Sequence, residues 1–119
     1  MSLSIGSNEV GDCIALERYI YTMQYMKAKL IYNKRETRAD GVRVELVIWQ
    51  LPAPTTDRPH GYKYRLYAGL EGKMLVRYDN ETGKGDHKHV GESETEMPYH
   101  FVSLGQLVND FIADAEKLK

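Results

Sequence analysis

A single cysteine, Cys13, among 119 residues excludes an intramolecular disulfide and leaves no Cys pair for a structural zinc site. No apolar run approaches the ~18 residues that span a bilayer, so no membrane partner is expected. No basic n-region with an apolar h-region opens the chain either, and the expected location is the cytoplasm. Phenylalanine and tryptophan are scarce, two and one, so the nine tyrosines carry most of the aromatic content. No internal repeat or low-complexity tract interrupts the sequence. What is present, 42% hydrophobic and 28% charged residues, is the composition of one folded domain large enough to bury its own core.

Net charge is −1 and by itself says nothing of a polyanionic partner. Its distribution says more. Residues 27–89 hold 13 Lys and Arg against 8 acids, a net of +5, while residues 1–26 carry −2 and residues 90–119 carry −4. A basic middle between acidic ends fits a nucleic-acid surface. It equally fits a sheet that displays cations beside helices that display acids.

From Asn8 to Tyr25 the residues Val10, Cys13, Ile14, Leu16, Tyr19, Ile20 and Met23 form a loose helical stripe. Four segments then alternate with period two, the signature of half-buried strands: Lys27–Asn33, Arg43–Trp49, Tyr62–Ala68 and Lys73–Asp79. Asp40-Gly41 and Leu70-Glu71-Gly72 are turn signals that make two hairpins of them. Between the hairpins, Leu51–Gly61 contains Pro52, Pro54 and Pro59, which cannot continue a central strand. Ser103 with Gln106 has the capping-box pattern. Leu104, Leu107, Val108, Phe111, Ile112 and Ala115 follow at helical spacing, so Ser103–Leu118 is predicted helical with its acids outward.

The fold class is therefore α+β: a meandering antiparallel sheet of four or more strands, a C-terminal helix on one face and an N-terminal helix. Leu30, Leu46, Ile48, Leu66 and Val76 are expected beneath the C-terminal helix. The opposite face is expected to show Lys29, Arg43, Lys63, Arg65 and Arg77, with Trp49 and Tyr67 among them. Cations interleaved with flat rings suit single-stranded nucleic acid, which makes Lys63, Arg65, Arg77, Lys88 and Tyr67 the candidate RNA-binding set. The plain alternative is a solvated or covered sheet face.

After the fourth strand, Arg77–Val90 gathers two of the four histidines with three acids. If Asp86–Val90 is extended, His87 and His89 share a face with Cα atoms ~6.6 Å apart. Imidazoles titrate near ~6.5, so one can accept a proton while the other donates one at neutral pH. Lys84, flanked by Gly83 and Gly85, can steady phosphate oxygens, and Asp79 or Asp86 can orient an imidazole. His87, His89, Lys84 and Asp86 are thus the candidate catalytic set. GxxxxGK[ST] is absent, so the Gly-Lys-Gly turn is no P-loop. A metal reading competes, with Asp79, Asp86, His87 and His89 as mixed N and O ligands. The favoured reading takes no metal and no cofactor. His60 and His100 read as structural.

The block His60-Gly61-Tyr62-Lys63-Tyr64-Arg65-Leu66, then Tyr78-Asp79-Asn80 with Gly83-Lys84-Gly85-Asp86-His87-Lys88-His89, then Tyr99-His100-Phe101, resembles the TumE-like toxins of bacterial and archaeal toxin–antitoxin systems. The resemblance covers roughly Met26 to Leu118, which makes residues 26–119 the domain and residues 1–25 an extension. It implies a cytoplasmic toxin with a cognate antitoxin encoded nearby, and it brings no catalytic set of its own. Joined to the residues above, it leads to a metal-independent endoribonuclease acting through the His pair. The alternative is a non-catalytic module that grips RNA or the translation machinery. A homodimer is compatible with either.

Overall fold

The computed structural model describes residues 28–81, 83–91 and 95–119. Six strands follow in chain order: β1 Lys29–Thr37, β2 Arg43–Gln50, β3 Tyr62–Leu70, β4 Lys73–Asp79, β5 His87–Val90 and β6 Thr95–Pro98. They form one antiparallel meander in which each strand pairs with the next. Helix α1, Leu104–Leu118, closes the described chain. The N-terminal helix expected before Tyr25 lies outside the described residues.

The alternation read from sequence sorts the two faces. Val44, Leu46 and Ile48 from β2, Tyr64, Leu66 and Ala68 from β3, and Val76 and Tyr78 from β4 are buried with Leu107, Phe111 and Ala115 of α1. The helix residues are four apart, so one face of α1 seals this side of the sheet. Ser103 caps the helix as expected, its Oγ accepting from the Gln106 amide at 3.1 Å. The reciprocal half of the box is different, because the Gln106 side chain donates to Asp110 at 2.6 Å. The hairpin β3–β4 has a two-residue turn, Glu71-Gly72, with φ of 53° and 80°. Both central residues of such a turn need positive φ, and glycine takes it without steric cost.

Three local expectations change. Leu30 is 43% exposed rather than core. A bulge between Leu30 and Tyr32 shifts the register, so Leu30 pairs with Trp49 while Tyr32 pairs with Ile48. The extra residue swaps the faces and also puts Lys29 opposite Gln50, on the helix side. Strand β6 is an addition that a four-residue Thr-Glu-Met-Pro segment gives little signal for. Its proline sits at the strand end, where a missing N–H is tolerated. Finally, the helix acids are not all outward. Asp114 accepts from the Tyr78 hydroxyl at 2.5 Å and from the Lys88 ammonium at 2.9 Å.

That cluster ties α1 to β4 and β5 and has a pH signature. Burial works against the Asp114 carboxylate, but the Tyr78 hydroxyl and Lys88 together outweigh it and hold its pKa below the usual range. A depressed folded pKa means that the stabilisation is present above the unfolded value and is lost as pH falls through the folded one. The melting temperature is therefore expected to drop on acidification below about pH 4, and to drop less steeply in Asp114→Asn. Equal slopes for both proteins in a pH series of thermal melts would contradict this.

Candidate functional site

The tail of β4 distributes three consecutive side chains to three tasks. Tyr78 faces the core. Asn80, buried, ties the end of β4 to the start of β3, its Oδ1 accepting from the Tyr64 amide at 3.1 Å and its Nδ2 donating to the Tyr62 carbonyl at 2.8 Å. Asp79, between them, points to the face opposite α1, where antiparallel pairing sets it against His87. The next pair on the same face is Arg77 with His89. Antiparallel partners share a face, so two cross-strand rows run side by side. One is Val47, Arg65, Asp79, His87, Pro98, and the other is Glu45, Tyr67, Arg77, His89, Glu96.

Within these rows Asp79, His87 and His89 are 6%, 3% and 8% exposed. Their ligand-type atoms all lie within 4.8 Å of one another. The imidazoles stand edge to face with centroids 5.1 Å apart. Arg77 Nε donates to Asp79 Oδ2 at 3.0 Å, which leaves Oδ1 to face the histidines. His87 Nδ1 lies 3.0 Å from the Gly85 carbonyl. A carbonyl can only accept, so Nδ1 carries the hydrogen and Nε2 of a neutral ring presents a lone pair. His87 Nε2 and Asp79 Oδ1 are 2.5 Å apart, yet their directions make no hydrogen bond. Asp79 Oδ1, His87 Nε2 and both ring nitrogens of His89 are buried without a hydrogen-bond partner among the described residues.

The sequence-predicted residues divide between places. His87 and His89 come together as expected, and their carboxylate is Asp79. Asp86 belongs to a separate cluster on the helix side. There it meets His60 Nε2 at 3.0 and 3.1 Å and accepts from the Tyr64 hydroxyl at 2.6 Å. His60 Nδ1 in turn accepts from the Tyr62 amide at 3.1 Å, so Nε2–H donates to Asp86. Phe101 stacks on the His60 ring at 3.9 Å. Burial first, and then the hydrogen bond to Asp86, raise the Tyr64 pKa above its ordinary value. The whole cluster latches the proline-rich loop to the β4–β5 loop, which fits the structural reading of His60.

Lys84 lies exposed in that loop, and its amide donates to the Glu81 carbonyl at 3.1 Å. Gly83 and Gly85 have φ of 86° and 74°, and a Cβ on either would meet nothing within 4 Å. Their role is therefore the left-handed backbone, not room for a close approach. Lys88 sits opposite Tyr78 on the helix side, with its ammonium 5.5 Å from the Tyr78 ring centre. It does not join the other candidate RNA-binding residues. Lys63, Arg65, Tyr67 and Arg77 do share one face, and Arg65 lies 5.6 Å over Tyr67. Glu45 shares it too, 3.3 Å from Arg43 and 3.8 Å from Arg65. The face is thus a ladder of paired charges with Arg65 and Arg77 flanking the Asp79–His87–His89 centre. From the sequence, Asp86 stands in the catalytic set and Asp79 only as an alternative orienting carboxylate or metal ligand; here it is Asp79 that lies against the two histidines.

A β-meander with one C-terminal helix, carrying a buried Asp-His-His centre beside paired cations, defines a small α+β protein with a single concentrated site among the described residues. Residues 12–119 match the family model described as Toxin TumE, and the chain belongs to that family. It is accordingly a toxin of a toxin–antitoxin system, with an antitoxin as its partner. The match takes in residues 12–25, part of the stretch read from sequence as an extension. No curated protein and no solved structure matches the chain. No described helix is long and apolar enough to cross a membrane.

Proposed function

We propose that this toxin acts in the cytoplasm as an endoribonuclease, with Asp79, His87 and His89 as its reactive centre and Arg65, Lys63 and Tyr67 as the track for the RNA strand. The observation that carries the reading is the placement of four buried acid–base atoms without a hydrogen-bond partner among the described residues, on Asp79, His87 and His89, in the cross-strand rows that hold Arg65 and Arg77. Buried polar groups normally have partners, and those left without one cluster where chemistry is done. In the proposed reaction a ribose 2′-hydroxyl loses its proton at this centre and attacks the adjacent phosphorus. The 5′-oxygen leaves and takes a proton back, giving a 2′,3′-cyclic phosphate. With no ion bound, the two imidazoles exchange base and acid roles, and the Gly85 carbonyl, accepting from Nδ1, orients His87. Arg77, fixed on Asp79 Oδ2, and Arg65 face the phosphoryl oxygens and stabilise the charge that develops on them.

Incubating the purified toxin with a single-stranded RNA and with its 2′-deoxy counterpart tests this. The RNA is expected to be cut to fragments bearing cyclic phosphate, while the deoxy strand binds uncut because it lacks the nucleophile. Binding of both strands without any cleavage would favour a module that grips RNA instead. No binding at low salt would remove both readings.

The track makes a separate prediction. Each phosphate contact on a single strand contributes about −0.7 to the slope of log affinity against log salt. Lys63→Gln with Arg65→Gln is expected to flatten that slope by about 1.4 if both side chains touch phosphate. An unchanged slope in a salt series of binding titrations would take these two residues out of the interface.

A further inference from the structure

We infer that Asp79, His87 and His89 form a binding site for one divalent transition-metal ion of the zinc type. It concerns the same centre as the ribonuclease reading and rests on that reading only for the use made of the ion; the site itself stands on its geometry.

Four buried atoms, Asp79 Oδ1, His87 Nε2 and the two nitrogens of His89, lack partners among the described residues, although a lone buried polar group costs a few kcal/mol. Three of them, one from each residue, suffice to form a ligand set. Their mutual distances, 2.5 Å for Asp79 Oδ1 to His87 Nε2 and up to 4.8 Å across the set, bracket the ~3.4 Å between ligand atoms on a tetrahedral zinc with ~2.0–2.1 Å bonds. Two lone-pair atoms 2.5 Å apart repel each other unless positive charge sits between them, which a proton on His87 would supply for this pair and a metal ion in reach of His89 for all three residues.

The surroundings fit as well. A ligating histidine ordinarily donates its other ring N–H to a carbonyl or carboxylate, and a ligating carboxylate is itself hydrogen-bonded. His87 Nδ1 donates to the Gly85 carbonyl, and Asp79 Oδ2 accepts from Arg77. Both first ligands are therefore oriented from behind. The strand fixes the spacing: His87 and His89 are two residues apart on one face of β5, and Asp79 is the register partner of His87 across β4. Nitrogen and oxygen donors without thiolate suit zinc, cobalt, nickel or manganese rather than a soft ion. Two imidazoles with one carboxylate make three protein ligands, the number that leaves a fourth position for water in catalytic zinc sites.

Such an ion changes how the proton is handled. Bound water ionises near neutral pH. The resulting hydroxide takes the 2′-hydroxyl proton and becomes water, the O2′–P bond forms as the P–O5′ bond breaks, and that water returns a proton to the leaving oxygen. No oxidant or further reactant is required.

The test uses the full chain, stripped with a chelator and dialysed, then titrated separately with Zn²⁺, Mn²⁺ and Co²⁺. One Zn²⁺ per chain is expected by calorimetry and elemental analysis. Co²⁺ is expected to give visible d–d absorption of a mixed N/O site. Asp79→Asn and His89→Gln, which keep size and polarity, are expected to abolish stoichiometric binding. Arg77→Gln, which removes the support behind Asp79 without removing a ligand, is expected to weaken it about 10–100-fold. His100→Ala, an exposed histidine elsewhere, is expected to leave binding unchanged. Circular dichroism of each variant separates ligand loss from misfolding. The inference is overturned if wild type binds none of the three ions stoichiometrically, or if Asp79→Asn and His89→Gln bind as wild type does. RNA cleavage is scored separately. Stoichiometric metal with no cleavage keeps the site and ends the ribonuclease reading. Full cleavage by metal-free protein in chelator keeps the ribonuclease with free imidazoles at work and overturns the ion's part in the reaction, while the titrations alone uphold or overturn the site.

Discussion

Toxin carrying His89→Leu is expected to lose RNA cleavage by about 10²–10⁴-fold, the contribution of an acid–base group, while its melting temperature, compared with wild type in chelator, stays level or rises. The two signs follow from one fact. His89 is 8% exposed and both of its ring nitrogens lack partners among the described residues. A leucine of similar size removes two unsatisfied polar atoms, and replacing a buried polar group by an apolar one of the same shape is near neutral or stabilising when no hydrogen bond is lost. Residues kept for chemistry at the expense of stability show this opposition. His87→Leu is expected to lose cleavage to the same degree but to gain less stability, because its Nδ1 bond to the Gly85 carbonyl is lost. Thermal melts and single-turnover cleavage on the same preparations decide it. A lower melting temperature with cleavage intact would make His89 a scaffold residue and move the centre elsewhere.

Phe111→Ala is expected to have the largest effect on stability, about 3–5 kcal/mol. Phe111 is 1% exposed and meets the Tyr78 ring edge-on, with centroids 5.8 Å apart. It packs among the buried residues of β2, β3 and β4, so little around it can collapse into the space left. A domain of this size has about 5–15 kcal/mol in all, and α1 seals only one face of the sheet. Urea denaturation should show the loss in the midpoint with little change in slope. A cost below about 1 kcal/mol would mean that the helix contributes little to the fold.

Much of the scaffold was legible in the residues. The strands β2, β3 and β4 and the helix α1 come within two residues of the stretches that alternation and the Leu104–Ala115 stripe mark out. That follows because a buried face imposes its period on the sequence. What escaped depends on register. A bulge near Ile31 turns β1 over, and nothing in Lys-Leu-Ile-Tyr signals it. The choice between Asp79 and Asp86 as the partner of His87 rests on the length and shape of the 80–86 connection, which sets β4 against β5. Both carboxylates are within reach by sequence separation, and only the pairing selects one. The burial of His87 and His89 was equally hidden, since imidazoles in a run of charged residues look like surface.

The three-way division of Tyr78, Asp79 and Asn80 has a consequence for how this toxin can be silenced. Core and centre here are the two sides of one pleat, so every residue of β4 has its duty fixed by whether its position is odd or even. Inserting or deleting one codon within the strand would exchange the two sides at once, bringing Asp79 to the helix and Tyr78 to the histidines. Such a length change should leave unfolded protein. Substitutions at Asp79, His87 or His89 should leave a folded and inert protein, still presenting the rest of its surface to an antitoxin. Disarmed alleles recovered by selection against toxicity should accordingly fall into two populations: soluble proteins changed at single letters on one parity, and frame-preserving length variants that do not accumulate.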